Sequence, residues 1–237
     1  MFSWFRSRRR RRLLEKPFPE SWLKILEKLH FYSRLKAEET SKLHGIVQIL
    51  ASEKIWSGCG GLTLSDEIVV SIAAQAGLLL LGLPHDYFPG TDEILVYPRE
   101  FYDPRSEELL AGQAHVQGPV VLAWNQAKRG MARGRDGRNV VLHEFAHRLD
   151  MSDGYADGVP LVPSVDAWAR LMKSERENLL RTVEAGRKTL LDPYGAEDPA
   201  EFFAVATECY FEKSNALKRE RPELYRALSE FYGWAPC

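Results

Sequence analysis

The chain has 237 residues and a formal net charge of −1; 45% of its residues are hydrophobic and 27% charged. That balance fits a globular protein with one substantial core, and it excludes a global electrostatic drive toward nucleic acid or another polyanion. The most apolar run, Ile68 to Leu83, is broken by Ser71 and Gln75 and is too short for a membrane-spanning helix.

Positive charge is concentrated at one end. Arg6 and Arg8 through Arg12 crowd the first twelve residues, beside Phe2, Trp4 and Phe5. Such a run reads as a flexible, solvated arm over residues 1–16, with contact to an anionic membrane as the secondary reading and no direct nucleic-acid partner expected. The basic start runs into Leu13-Leu14-Glu15-Lys16-Pro17 without an apolar stretch, so no secretory signal is expected. Cys59, Cys209 and Cys237 lack metal-ligand spacing and read as free thiols in a reducing cytoplasm.

After the arm, Glu20–Tyr32 and Glu38–Leu50 carry apolar residues at helical spacing, and Gly58, Gly60 and Gly61 mark a loop. Ser65 is positioned to cap a buried helix that begins at Asp66 and stops near Gly82 and Pro84. Glu93–Tyr97 and Gly118–Trp124 read as strands, the second offering a plausible edge for an extended peptide. Arg129–Gly137 reads as a polar loop. Three helical stretches follow, at Arg138–Met151, Asp166–Ala185 and Pro199–Phe211.

The first of these contains His143-Glu144-Phe145-Ala146-His147 within apolar surroundings. At 3.6 residues per turn both imidazoles leave one face, so both can bind one Zn²⁺, and Glu144 sits where it can act as a general base. A hydrolytic zinc site usually takes a third protein ligand. Asp153 would supply it in the short metzincin pattern, which requires glycine where this chain has Asp150. Glu201 is the better candidate. Asp198, Pro199 and Glu201 also make an ordinary capping-box start, yet Glu201 lies on a helix apolar on most sides, where a buried carboxylate calls for a cation. Glu208, two turns on, could accept the free N–H of a ligand imidazole. Asp150 reads as an anchor for the helix end, and the isolated His30, His44, His85 and His115 as surface or structural residues.

The segments Val141–Met151 and Asp198–Val205, together with Gln117–Leu122 and Ile72–Ala76, resemble the Mlc titration factor A family. That resemblance spans roughly residues 18 to 230. It implies an α+β fold with a zincin-like metallopeptidase core, a small mixed sheet plus an active-site helix, flanked by mainly helical N- and C-terminal parts within a single domain at 17–237. It further implies a cytoplasmic zinc peptidase of the gluzincin type, with one Zn²⁺ per chain held by His143, His147 and Glu201. Aminopeptidase and endopeptidase action both stay open. The family's catalytic tyrosine falls seven residues before its glutamate ligand, where this chain has Tyr194. The same resemblance implies a partner besides a peptide or protein substrate, a transcription repressor of the Mlc type that the protein would sequester.

Overall fold

The computed structural model describes residues 2–104, 107–116, 118–134 and 136–236. Gln117 and Cys237, named above, lie outside the described residues. In chain order, helices α1 (Phe2–Leu14), α2 (Glu20–Leu26) and α3 (Ala37–Glu53) lead into strand β1 (Ile55–Gly58), helix α4 (Asp66–Leu78) and strand β2 (Glu93–Tyr97). Three short strands follow, β3 (Phe101–Asp103), β4 (Glu108–Leu110) and β5 (Gly112–Ala114), then β6 (Val120–Ala123). Helices α5 (Trp124–Arg133), α6 (Val140–Asp150), α7 (Val165–Glu184), α8 (Pro199–Glu212), α9 (Ser214–Glu220) and α10 (Pro222–Tyr232) complete the chain. Among the described residues this is a mixed α+β protein of ten helices and a small sheet, and no helix is long and apolar enough to cross a membrane.

The sheet has the order β1-β2-β6-β5, with β1, β2 and β6 parallel and β5 antiparallel to β6. Val120, Val121, Leu122 and Ala123 are all buried, as expected of a strand paired on both sides. The expectation that this strand forms the free edge is therefore corrected. The edge beside the site is β5, where Gly112 faces Leu122 and Ala114 faces Val120.

Helix α6 packs against β5 and β6 on one side and α8 on the other. Val141, Leu142, Phe145 and Ala146 are buried there, and Phe145 packs at a tilt against Phe88 with ring centroids 4.7 Å apart. Burying one such side chain is worth roughly 1.5–3 kcal/mol, so this seam fixes α6 firmly. Helix α8 is buried on nearly every face, including Phe202, Phe203, Val205, Ala206 and Tyr210.

The structure departs from the sequence reading elsewhere too. Residues assigned to a flexible arm contain α1, because Arg10 reaches into the body to the Glu53 carboxylate at 2.6 and 2.9 Å and to Asp86. Helix α2 ends at Leu26 instead of Tyr32, the chain breaking into turns that bury Leu29 and Phe31. The polar loop expected from Arg129 is partly helix α5, whose Ala127 and Met131, four apart, face the core beneath a basic outer surface. Strands β1, β3, β4 and β5 and helices α9 and α10 are the further elements.

Candidate metal centre

Asn139 caps α6, its Oδ1 accepting the N–H groups of Val141 and Leu142 at 3.1 and 3.2 Å. Helix α8 starts at Pro199, with Asp198 Oδ1 accepting the Glu201 N–H at 2.9 Å. That cap engages only the backbone of Glu201. Its carboxylate points instead across to α6, so capping and metal binding do not compete for the same atoms.

Three side chains meet there. His143 Nε2 lies 2.9 Å from Glu201 Oε2, His147 Nε2 lies 3.4 Å from Glu201 Oε1, and the two Nε2 atoms are 3.1 Å apart. Ligand atoms bonded tetrahedrally to zinc at ~2.0–2.1 Å stand about 3.3 Å from one another. The arrangement therefore has the dimensions of a three-ligand site with one position left over.

The hydrogen bonding also calls for a cation. His143 Nδ1 is 2.8 Å from Glu208 Oε1, and the carboxylate fixes the proton on that nitrogen. Its Nε2 then presents a lone pair toward the Glu201 carboxylate and toward His147. Acceptors facing acceptors in a buried place are costly unless a positive charge lies among them. Burial opposes a charged His143, but hydrogen bonds to Glu201 and Glu208 outweigh it and hold its pKa well above the usual imidazole value. Glu201 is pulled down to about 2, burial being overcome by the two histidines. Both shifts express the same demand for positive charge between these groups.

Asp153, the less favoured alternative for the third ligand, is exposed and accepts the Tyr155 N–H at 3.0 Å. Asp150 is buried, accepts the Gly158 N–H at 3.0 Å and so ties the helix end to the next loop; burial raises its pKa to about 6.

Glu144 is 5% exposed, and burial raises its pKa. It sits under the edge strand so closely that a Cβ on Gly112 would lie 2.5 Å from its Oε1. Only glycine permits that approach. Tyr194 lies on a short turn, Pro193–Ala196, whose Gly195 rests on Val205 of α8. Its ring centroid is 6.1 Å from that of His143, and its side is open to solvent at 46% exposure. Burial first, then the nearby Glu201, Glu197 and Glu144 carboxylates, push its phenol well above the usual value, so it stays a hydrogen-bond donor. Asp192 Oδ1 accepts the Tyr194 N–H at 3.1 Å, and Arg138, just ahead of the α6 cap, pairs with the same carboxylate. Arg138, His143, Glu144, His147, Tyr194 and Glu201 line one cleft of about 1060 Å³, bounded by β5, the β3–β4 hairpin, α6 and α8.

Five contributors escaped the sequence reading. Gly112 admits Glu144; Asn139 donates its own N–H to Glu208 while capping α6; Arg138 and Asp192 brace the tyrosine turn. Arg148, buried in α6, donates to Thr91 Oγ1 at 2.6 Å and to the carbonyls of His115 and Val116, which ties the end of β5 to the helix. A buried arginine inside an apolar helix was the one visible signal among them.

The chain matches the family model described as glucose-regulated metallo-peptidase M90 over residues 4–233. It is 37% identical to a protein of Synechocystis sp. described as uncharacterized, across 96% of this chain and 89% of that one. Mlc titration factor A of Pectobacterium atrosepticum is 32% identical, and that of Escherichia fergusonii 30%, each across 85% of this chain and 82% of the relative.

Proposed function

We propose, from the premise that the chain belongs to the glucose-regulated metallo-peptidase M90 family, that it is a zinc-dependent peptidase with a zincin-like core spanning residues 17–237. The observation that carries this reading is the meeting of His143, His147 and Glu201, whose ligand atoms all fall within 4.8 Å of one another. Two nitrogens and one carboxylate oxygen are a donor set suited to zinc, and family membership implies a metal ion. When bound, that ion would supply Lewis-acid polarisation of a carbonyl and activation of water near neutral pH.

The chain's own groups account for the remainder of the chemistry. Glu144, kept dry beneath β5, takes the proton from the attacking water and delivers it to the leaving amine. Its raised pKa makes it a better base for that transfer. Tyr194, held protonated, donates to the negative charge that develops on the carbonyl oxygen. Glu208 keeps His143 in the tautomer with a free Nε2, and β5 offers unpaired backbone groups along which an extended substrate can lie. The test is metal analysis combined with peptide-library cleavage. Wild type should bind one zinc and cleave, Glu144→Gln should bind zinc without cleaving, and Glu201→Ala should lose both. Full zinc occupancy in Glu201→Ala would remove Glu201 from the ligand set.

A second reading rests on the relatives named Mlc titration factor A. This chain would then also capture an Mlc-type repressor in the cytoplasm. Exposed Tyr102 and Leu109, paired across the β3–β4 hairpin at the cleft rim, offer an apolar contact for such a partner. Capture of the repressor by Glu144→Gln as well as by wild type would separate this role from hydrolysis.

A further inference from the structure

Helix α1 holds six arginines and no acidic residue, in a chain whose total charge is −1, so the remainder carries −7. Two of the six pair with carboxylates of the body. Arg6 pairs with Asp86 at 2.6 Å, and Arg10 pairs with Glu53 and Asp86 while its guanidinium lies 4.4 Å from the Tyr87 ring centre. Leu14 reaches Gly45 of α3, and Arg9 donates to the Ser52 carbonyl at 3.0 Å. These contacts lay α1 lengthwise on the body and fix which face looks outward.

That outward face is basic and aromatic. Arg8, Arg9, Arg11 and Arg12 are exposed, and among the described residues no carboxylate pairs with them. Phe5, Arg8, Arg9, Arg12 and Lys16 recur at three- and four-residue intervals and line one shallow groove together with Leu13. At the same end Trp4 and Phe5 are 59% and 58% exposed, packed edge to face with centroids 5.1 Å apart, and Arg8 lies over the Trp4 ring.

We propose that the outer face of α1 is a docking surface for an anionic phospholipid membrane. Clustered cations are drawn to acidic headgroups, and tryptophan and phenylalanine settle at the headgroup–acyl boundary, so both parts of the face fit one occupant. A helix lying flat on its domain also offers a broad tangential surface, whereas one that reads a nucleic-acid groove must project into it. The excess of negative charge elsewhere would repel the same membrane and orient the molecule with α1 toward it.

The test is co-sedimentation of the full chain with phosphatidylcholine vesicles and with mixed phosphatidylcholine–phosphatidylglycerol vesicles across a salt series. Wild type should sediment with the mixed vesicles only, and less as salt rises. Replacing Arg8, Arg9, Arg11 and Arg12 together by glutamine should weaken partitioning roughly a thousandfold, each cation near an anionic surface being worth about a factor of five. Lysine at the same four positions should restore it, and circular dichroism should match wild type in both variants. The proposal is overturned if wild type does not sediment with mixed vesicles, if it sediments equally with phosphatidylcholine alone, or if the glutamine variant binds as well. Binding to a DNA duplex without vesicle binding would overturn it too, and reassign the face to nucleic acid.

Discussion

Placing a single methyl group on Gly112 probes whether the edge strand positions Glu144, the proposed general base. A Cβ there would lie 2.5 Å from Glu144 Oε1, 2.6 Å from Glu144 Cγ and 2.7 Å from Val140 Cγ2. Carbon atoms settle at about 3.5–4.0 Å, so something must yield by roughly 1 Å. Strand β5 is the stiffer side. It is paired with β6, and Arg148 holds the segment immediately after it to α6. The Glu144 carboxylate is therefore the part that moves. A displacement of that size at a reacting group costs about 10²-fold in rate, and the overpacking itself about 1–3 kcal/mol of stability. The three ligand side chains are untouched, so zinc content should stay at the wild-type level. Gly112→Ala is thus expected to keep its metal and lower kcat about a hundredfold on a fluorogenic peptide, with KM little changed. Wild-type kcat at full zinc content would refute the positioning argument, and so would a loss of activity that merely follows loss of zinc.

Other residues give independent checks. Tyr194→Phe should lower kcat by about 10²–10³ with little effect on zinc content, the loss typical of one oxyanion donor; unchanged kcat would remove Tyr194 from the reaction. Glu208→Gln keeps the side chain's shape but weakens the hold on His143 Nδ1 and the Asn139 N–H, and should reduce zinc affinity about 10–100-fold in a chelator competition. Glu212 is 6% exposed, and burial raises its pKa to about 8 despite a hydrogen bond from Asn139. A carboxyl group that is harder to ionise folded than unfolded contributes fully below the unfolded value and costs stability as pH climbs toward the folded one. Stability should therefore fall from about pH 4.5 to about pH 8, by an amount on the order of a few kcal/mol. Glu212→Gln should flatten that slope and melt higher than wild type at pH 8, and parallel melting curves for the two proteins would contradict the assignment.

Much of the candidate centre is readable because its chemistry is local. His143, Glu144 and His147 share one turn of helix, and a period of 3.6 residues fixes their relative directions before any tertiary contact exists. Asp198 and Pro199 announce a helix start just ahead of Glu201, and the apolar residues that follow announce its burial. Residues 93–97 and 120–123 are apolar enough to form strands wherever they land. The resemblance already drew Tyr194 toward the centre, and the structure brings its ring beside His143.

The remaining features depend on contacts between distant segments, which no local pattern encodes. Nothing around Gly112 in the sequence marks it out; its importance arises only when β5 pairs with β6 and lies over Glu144. Which strand is the edge depends on pairing order, and an apolar run such as Val120–Ala123 fits an interior position better than a free margin. The arginine run reads as a solvated arm because its counter-charges, Glu53 and Asp86, lie 43 and 76 residues beyond Arg10. Sequence alone determined the residue types of the candidate ligands and the shared helical face of His143 and His147. Tertiary structure decided which carboxylate meets the two imidazoles, what presses on Glu144 and which arginines face outward, because each depends on free energy gained only when remote surfaces meet.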